Sequence, residues 1–532
     1  MDEVDVLIIG AGAAGSVVAR ALAETKLRVL CLEQGNFTDP SSYPGGNELT
    51  YEQNKKLFNP NPNIRQQEVD YPINDQDSPI SIANYNAVGG STILFSGHFP
   101  RMHPSDFRVK TLDGVADDWP ISYSELEPYY DLVQKHLAVA GVEGDPAYPK
   151  ISNLLPPVPL GKMGETLAAG FNKLNWHWWP SYSAIATRPF KTQNECINFG
   201  SCNTGCPIGA KSSADVVFWR ESLQKGVKLK TNSRVKEIVV DANGLATGVY
   251  YYDQEGMKYL RAKVIVLACN GVGTPRLLLN SKSNVFPNGL GNSTGLVGKN
   301  LMLHPVGYVE GHFENELDSN FGPQGCSLYS HEFYESDISR GFLRGYTMQA
   351  LRGPTLIDAV SSMNSRKELR LGSAMHNSVK LSFNKTAHLA IIVEDLPDPL
   401  NRVELDTNLC DSNGIPAPKI TYKLSENSRK MMAHGLSKAR EVMIASGATK
   451  TMMFGPVRET GWHLMGTARM GDNPDTSVVN KWGQLHESQN VYIADSSIFV
   501  TSSGVNPANT IQALAFRTAE KIYSYFSEIN SN

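Results

Sequence analysis

The N-terminal segment constrains the fold more than any other part of this sequence. Residues 4–9 read VDVLII, an apolar run rich in β-branched residues, and the glycine-rich stretch GAGAAG follows at once, with Gly10, Gly12 and Gly15. Such a run is typical of a parallel strand buried on both faces. In this pattern the first glycine permits a tight turn, the second lets a pyrophosphate approach the backbone, and the third lets a helix pack against the strand. The sequence therefore predicts a strand, a helix over 13–24 and a second strand over 28–33.

An acidic residue completes this β–α–β unit. Glu33 lies eighteen residues past Gly15, at the end of the second predicted strand, where a carboxylate can accept hydrogen bonds from a ribose diol. The helix N-terminus would supply unpaired N–H groups to the phosphates. A dinucleotide site is the interpretation we favour over a purely structural turn, and the motif by itself does not separate NAD from FAD.

Length and charge exclude several classes of protein. A chain of 532 residues predicts two or more domains. The 49 basic and 53 acidic residues give a net charge of −4, which offers no electrostatic footprint for nucleic acid. No apolar run approaches the roughly 20 residues of a membrane helix, and the acidic N-terminus lacks the basic region of a secretory signal. We expect a cytoplasmic protein without a membrane span, with export alongside a signal-bearing partner subunit as the alternative.

The remaining pattern predicts further elements. Residues 40–85 are rich in Pro, Asn, Asp and Gln, which favours loops, and Ser122 with Glu125 forms a capping box ahead of a helix. We also predict strands within 227–269 with a turn at 242–244, sheet over 389–406 in a second domain, a helix over 426–446 ended by Gly447, a strand over 490–495 and a closing helix over 511–526.

Seven segments carry a resemblance to a known family. They read GAGAAG at 10–15, AVGGST at 87–92, ACNGVGTPRLLL at 268–279, VGKNLMLHP at 297–305, GWHLMGTARMG at 461–471, and VYIADSS at 491–497 followed by GVNPANTI at 504–511. Together they resemble the glucose–methanol–choline (GMC) flavoprotein oxidoreductases, and are most similar to the FAD-dependent sugar dehydrogenases and pyranose oxidase-like enzymes. The resemblance implies an α/β fold with a doubly wound, Rossmann-like FAD-binding domain formed by 1–105, 195–310 and 455–532. A substrate domain with a mainly antiparallel sheet and helices, formed by 106–194 and 311–454, would cover the flavin.

The resemblance also implies the catalytic pair. His463 and Asn506 match the two family positions beside the flavin ring, and the implied reaction is FAD-dependent oxidation of a CH–OH group, of a sugar or glycoside, by hydride transfer to flavin N5. Removing a hydride from an alcohol carbon leaves a carbonyl, so the hydroxyl proton must leave too. A neutral imidazole is a suitable base near neutral pH, and a side-chain amide can hold the substrate oxygen. Among the other histidines, His98 and His376 remain weaker candidates for substrate contacts.

The implied cofactor-binding residues surround these motifs. They are Gly10, Gly12, Gly15, Glu33, Gly89, Gly90, Ser91, Thr92, Val235, Asp495, Asn506 and Thr510. Some relatives attach FAD through a histidine at the position of Leu94, so the resemblance implies that FAD is non-covalent here. Phe95 departs from an asparagine common in the oxidase branch, so that asparagine's contact is not carried over.

Three of the seven cysteines lie close together in the sequence. Cys196, Cys202 and Cys206 stand as C-INFGS-C-NTG-C, a spacing that lets one loop wrap an iron–sulfur cluster, since thiolates hold such clusters and a three-iron cluster needs three. The segment resembles the cluster loop of multi-subunit FAD glucose and fructose dehydrogenases. We expect a [3Fe–4S] cluster here, with a reduced structural loop that holds no metal as the alternative.

Other functions remain open at this point. A GMC-fold lyase would keep FAD only for structure, and a non-catalytic flavin-binding module would bind FAD without catalysing a reaction. A further alternative is an oxidase that uses dioxygen to oxidise a non-sugar alcohol. The acceptor that re-oxidises the flavin is dioxygen, a quinone or a redox protein, and a bound cluster would favour a dehydrogenase. Neither the substrate, nor the carbon that is oxidised, nor the oligomeric state follows from the residues.

Overall fold

The computed structural model describes residues 3–44, 56–323, 325, 327–354, 356–365, 367 and 372–531. Its strands are β1 Glu3–Ile9, β2 Val29–Leu32, β3 Asn74–Asp77, β4 Trp179–Pro180, β5 Lys228–Lys230, β6 Arg234–Val240, β7 Ala246–Asp253, β8 Gly256–Leu267, β9 Val306–His312, β10 Leu328–Ser330, β11 Tyr346–Leu351, β12 Thr386–Val393, β13 Arg402–Cys410, β14 Pro416–Thr421, β15 Lys450–Phe454 and β16 Val491–Ile493. Its α-helices are α1 Ala13–Leu22, α2 Pro62–Arg65, α3 Val109–Asp113, α4 Tyr123–His136, α5 Gly161–Leu174, α6 Arg220–Gln224, α7 Asn270–Asn280, α8 Leu356–Ser365, α9 Ser373–Ser382, α10 Glu426–Ala445 and α11 Ala508–Ser531.

A parallel sheet forms the centre of one half of the molecule. Strand β1 lies between β2 and β8, β5 continues the sheet beyond β2, and β16 pairs with the other edge of β8, all in parallel. Strand β8 is long enough to pair with different strands along its length. Its first half forms an antiparallel hairpin with β7, and its second half pairs in parallel with β1. Helices α1 and α11 pack on this sheet, and α4 packs on α11.

A second, antiparallel sheet lies in the other half of the molecule. Its strand order is β15-β9-β12-β11-β10-β4, and helices α5 and α10 share an apolar core with one of its faces. This confirms the expected combination of a doubly wound sheet with a mainly antiparallel sheet and helices. Within the described residues, no helix has the length and apolarity needed to cross a membrane.

Two predictions about local structure were incomplete. Residues 40–85 are not all loop, because Asn74–Asp77 form β3, a polar strand that pairs in parallel with β14 at one edge of a three-stranded sheet. The predicted sheet over 389–406 is two strands in two different sheets: β12 joins the antiparallel sheet, while β13 pairs with β14. Turn residues at 398–401 separate them. Strand β12 pairs with β9 and β11, which precede it in the chain, whereas β13 forms a hairpin with β14, which follows it.

The other local predictions agree with the structure. The first helix, the capping box of Ser122 and Glu125, the turn at 242–244 and the long helix ahead of Gly447 are all present. The capping box is complete, since each side chain bonds the other residue's backbone N–H. Short-range chemistry determines these elements, which explains why a single sequence reveals them.

Candidate active site

A cavity of about 410 Å³ opens where the parallel strands end. Gly10, Glu33, Ala268 and Asp495 each follow closely on the carboxyl end of one strand, and all four line the cavity. In open α/β sheets, ligands bind at this edge, because the loops there diverge and leave a crevice. The volume lies in the range of small-molecule sites.

The antiparallel sheet covers the other side of the cavity. Gln349 and Leu351 on β11 face the cavity, and so do Ala390 and Ile392 on β12. Their alternating neighbours, including Met348, pack against the helices instead. This is the period of two expected of a strand whose faces meet different environments.

The first glycine turn is packed as tightly as its motif predicts. A Cβ on Gly10 would lie 2.6 Å from the carbonyl oxygen of Ala268, and one on Gly15 would lie 1.9 Å from that of Gly10. Gly12 and Gly90 pack backbone against backbone, since a Cβ on Gly90 would lie 2.8 Å from the Gly12 Cα. Glycine is required at positions 10, 15 and 90 because a side chain there would clash with backbone atoms.

Glu33 organises the loops beside this turn. Its Oε2 accepts a hydrogen bond from the Ala11 N–H (2.7 Å) and its Oε1 accepts one from the Gly35 N–H (2.8 Å). Burial raises the pKa of Glu33 to about 6 against the lowering effect of these bonds. Glu33 also lines the cavity, which is where a carboxylate that accepts from a ribose diol is expected.

The segment after Gly89 forms the next part of the wall. Gly90, Ser91, Thr92 and Leu94 line the cavity. The Thr92 hydroxyl is occupied within the protein, because it donates to the carbonyl of Gly89 (2.6 Å) and accepts from the Ala214 N–H (2.9 Å). Ser91 is therefore the hydroxyl of this pair with donor capacity to spare.

Asp495 caps the turn that follows β16 and also faces the cavity. Its Oδ1 accepts from the backbone and the hydroxyl of Ser497 (2.9 and 2.6 Å). Its Oδ2 accepts from the Asn270 N–H (3.1 Å) and the Thr274 hydroxyl (2.5 Å). Burial raises the pKa of this carboxyl above its ordinary value, while these bonds work to lower it.

Most of the predicted cofactor residues meet at this cavity, and three do not reach its wall. Val235 and Asn506 line it, whereas Gly15, Gly89 and Thr510 are absent from the lining. The hydroxyl of Thr510 bonds that of Tyr130 on α4 instead (2.7 Å). A cofactor contact through Thr510 stays a prediction.

The predicted catalytic pair comes together on the cavity wall. The Asn506 Nδ2 lies 3.4 Å from the His463 Nε2, and the Asn506 Oδ1 accepts a hydrogen bond from the Gln349 Nε2. Burial, with smaller repulsions from His304 and His98, lowers the pKa of His463 well below its ordinary value. The ring is therefore neutral near neutral pH and can accept a proton.

Two functional candidates were missed from the sequence. His304 Nδ1 lies 2.9 Å from His463 Nδ1, and the His304 Nε2 lies 2.7 Å from the Ser503 carbonyl oxygen. His304 belongs to the VGKNLMLHP segment. This segment is one of those that carry the family resemblance, but it did not indicate a role for the histidine. Gln349 had no signal at all, because it is one polar residue in an apolar strand.

Of the two weaker histidine candidates, the structure places one at the cavity and the other away from it. His98 lines the cavity, and its Nδ1 lies 2.6 Å from the Tyr329 hydroxyl. Burial lowers the pKa of His98 to about 3, so it stays neutral. His376 lies on α9, is exposed and is absent from the cavity lining.

The cysteine loop lies against the same cavity. Cys196, Cys202 and Cys206 are thiols rather than halves of a disulfide, and all three are partly buried. The Lys211 ammonium donates to the carbonyls of Cys202 and Phe95, which ties the loop to a segment of the cavity wall. Burial, with the neighbouring thiols, raises the pKa of Cys196 to about 11.

Comparison with known proteins identifies the family. Residues 183–306 and 397–515 each match a family model described as GMC oxidoreductase, and residues 8–66 match one described as an NAD(P)-binding Rossmann-like domain. The chain is 37% identical to the 2-methyl-1,2-propanediol dehydrogenase of Mycolicibacterium austroafricanum, over 99% of this chain and 96% of the relative. It is 29% identical to the fructose dehydrogenase large subunit of Gluconobacter japonicus, over 97% of each chain.

A solved structure supports the fold. The crystal structure of pyridoxine 4-oxidase from Mesorbium loti matches with a TM-score of 0.65 at 17% identity, covering 98% of this chain and 99% of that chain. The glycine turn that lines the cavity and the histidine–asparagine pair on its wall suit a flavin dinucleotide. The chain belongs to the GMC oxidoreductase family and is an FAD-dependent enzyme that acts on CH–OH groups.

Proposed function

We propose that this enzyme oxidises a hydroxyl of a sugar or sugar-like polyol, with His463 as the base. The observation that carries the proposal is the contact between Asn506 Nδ2 and His463 Nε2 on the wall of one cavity (3.4 Å). Relatives named for a diol and for fructose are consistent with a substrate that bears several hydroxyls.

Each side chain has a distinct part in the reaction. When bound, FAD supplies the ring that accepts the hydride. The His463 Nε2 accepts the proton of the reacting hydroxyl, and the Asn506 Nδ2 donates to the same oxygen and so aims it at the base. Phe95 and Leu351 line the cavity with apolar surface, which limits competing water.

We also propose how the cofactor is held. FAD binds without a covalent bond, since Leu94 has no nucleophile. The FAD-binding domain comprises 1–105, 195–310 and 455–532, and the substrate domain comprises 106–194 and 311–454. Strand β9 begins at residue 306 and pairs within the antiparallel sheet, so the boundary near 310 falls inside an element.

The test is anaerobic reduction of the flavin by a panel of sugars, glycosides, diols and simple alcohols. Bleaching by a polyol supports the proposal, whereas a lyase with structural FAD would not bleach.

The His463→Ala variant should retain FAD, and its flavin should be reduced about 10²-fold more slowly or worse, the scale of a lost general base. The Asn506→Ala variant should lose less of the reduction rate. His434→Ala is the matched control, because its ring lies on α10 outside the cavity lining. A His463→Ala enzyme as fast as this control would remove His463 from the mechanism.

For the route by which electrons leave, we propose that the loop of Cys196, Cys202 and Cys206 binds a [3Fe–4S] cluster. The donor set fits, because three cysteine thiols that are not in disulfides lie in one loop and thiolates are the ligands of such clusters. Asn203, between two of these cysteines, lines the flavin cavity, so a cluster here would lie close to the flavin. The fructose dehydrogenase subunit among the relatives is consistent with an acceptor other than dioxygen.

Metal analysis tests this second proposal. Iron and acid-labile sulfide should be found in protein purified without air, with a low-temperature EPR signal in the oxidised state, and Cys202→Ser should lower both. A flavin-saturated, active preparation without iron would contradict the cluster and leave dioxygen or a quinone as the acceptor.

A further inference from the structure

A chain of hydrogen bonds runs from a backbone carbonyl to the base. It begins at the Ser503 carbonyl oxygen, passes through both nitrogens of His304 (2.7 and 2.9 Å) and reaches His463 Nδ1. On the far side of His463, Asn506 lies 3.4 Å from the Nε2 and is itself bonded to Gln349. The positions of the hydrogens in this chain follow from its fixed end.

The fixed end is a group that can only accept. A carbonyl oxygen has no hydrogen, so the His304 Nε2 must carry one and donate it to Ser503. Burial lowers the pKa of His304 to about 4, which keeps the ring neutral. A neutral imidazole has one N–H, so the His304 Nδ1 carries a lone pair. The contact of 2.9 Å between the two Nδ1 atoms is then a hydrogen bond only if His463 donates.

The tautomer of His463 follows. With its hydrogen on Nδ1, its Nε2 is left with the lone pair that a base needs. The Asn506 amide must then turn its NH₂ group toward this nitrogen, and its Oδ1 toward Gln349, which is the orientation observed. The Ser503 carbonyl at one end and the Asn506 and Gln349 amides at the other are therefore both compatible with this one arrangement of hydrogens.

We propose that His304 is a positioning residue that holds His463 in the tautomer whose Nε2 can accept the substrate proton. This inference rests on the proposed role of His463. Without an acceptor at His304 the hydrogen can move to Nε2, where it would block the base. After His463 has gained a proton, its Nδ1–H bond to His304 becomes charge-assisted and so stronger.

The backbone is held in a costly conformation to make this bond. His304 and Ser503 have φ angles of 50° and 61°, in the left-handed region that residues with a side chain rarely adopt. Such residues persist only where the surroundings enforce them. Asp395 does so here, because its Oδ2 accepts from the Leu303 N–H (3.2 Å) and its carbonyl accepts from the Ser502 hydroxyl (2.8 Å).

Three substitutions separate positioning from packing. In His304→Asn, the Oδ1 takes the place of the ring Nδ1 and can still accept from His463. In His304→Gln, the amide nitrogen takes the place of the ring Nε2 and keeps the bond to Ser503 but not the acceptor. His304→Leu removes both bonds and keeps an apolar side chain.

Anaerobic stopped-flow reduction at saturating substrate measures the effect. We expect the leucine and glutamine variants to reduce flavin about 10- to 100-fold more slowly, because a buried N–H has lost its acceptor, with KM changed much less. The asparagine variant should recover most of the rate. FAD content and the flavin absorption spectrum should match the wild type in all three. In a His463→Ala background, His304→Leu should cause no further loss.

The outcomes that oppose the inference are distinct. Equal losses in all three variants would mean that His304 acts by packing, and a wild-type rate in His304→Leu would mean that it has no role. If the leucine or the glutamine variant does not fold, the comparison of the other with His304→Asn still decides. If His304→Asn does not fold, the His463→Ala background decides, because a packing role would add a further loss there. A His463→Ala enzyme with the wild-type rate would instead refute the proposed base, whatever the His304 variants do.

Discussion

The backbone contact between Gly12 and Gly90 offers a sharp test of how FAD is held. Gly90 has a φ of 55°, and a Cβ there would lie 2.8 Å from the Gly12 Cα. Both residues line the cavity. The opposing atom belongs to the backbone and cannot rotate away, so Gly90→Ala must displace one of these two segments of the cavity wall.

Two costs follow from this methyl group. An alanine in the left-handed conformation costs about 1–2 kcal/mol, which reduces the stability of the protein with or without FAD. The clash with Gly12 adds a second cost, because it displaces backbone that lines the cavity in which we expect FAD to bind. We expect FAD affinity to fall at least about tenfold, equivalent to about 1.4 kcal/mol.

The assay is the equilibrium fraction of FAD released on dilution, followed by flavin fluorescence. The matched control is Gly414→Ala, because Gly414 has a φ of 74° and a Cβ there would meet nothing within 4 Å. It should carry the conformational cost and bind FAD as tightly as the wild type. Wild-type affinity in Gly90→Ala, or an equal loss in the control, would refute the reasoning.

Two further predictions concern the cofactor and the core. Because Leu94 lacks a nucleophile, acid or heat denaturation should release all the yellow colour into the supernatant, and colour that stays with the precipitate would show a covalent bond. Arg344→Leu should lower the free energy of unfolding by about 3–5 kcal/mol in urea denaturation, because Arg344 pairs with the buried carboxyl groups of Asp106 (2.6 Å) and Glu394 (3.1 Å) and the substitution would leave them without this partner. A variant as stable as the wild type would mean that these two carboxyl groups become neutral when the Arg344 guanidinium is absent.

The short β3 strand shows where sequence reasoning stops. Its residues, NDQD, have neither the apolar alternation nor the β-branched content of a strand. They are extended because β14 presents a free edge, with Lys419 paired to Asn74. Pairing with a distant segment leaves no mark in the local pattern.

The sequence by itself determined the dinucleotide turn, because the tight packing at Gly10 and Gly15 arises from residues that are neighbours in the chain or on adjoining strands. The motifs that resemble the GMC family located His463 and Asn506, but not what surrounds them. Only the tertiary structure brought in His304, 159 residues before His463, and Gln349 on a strand of the other sheet. Hydrogen-bond direction is decided by which groups meet in space, so the protonation of the proposed base could not be deduced until the fold had placed its partners.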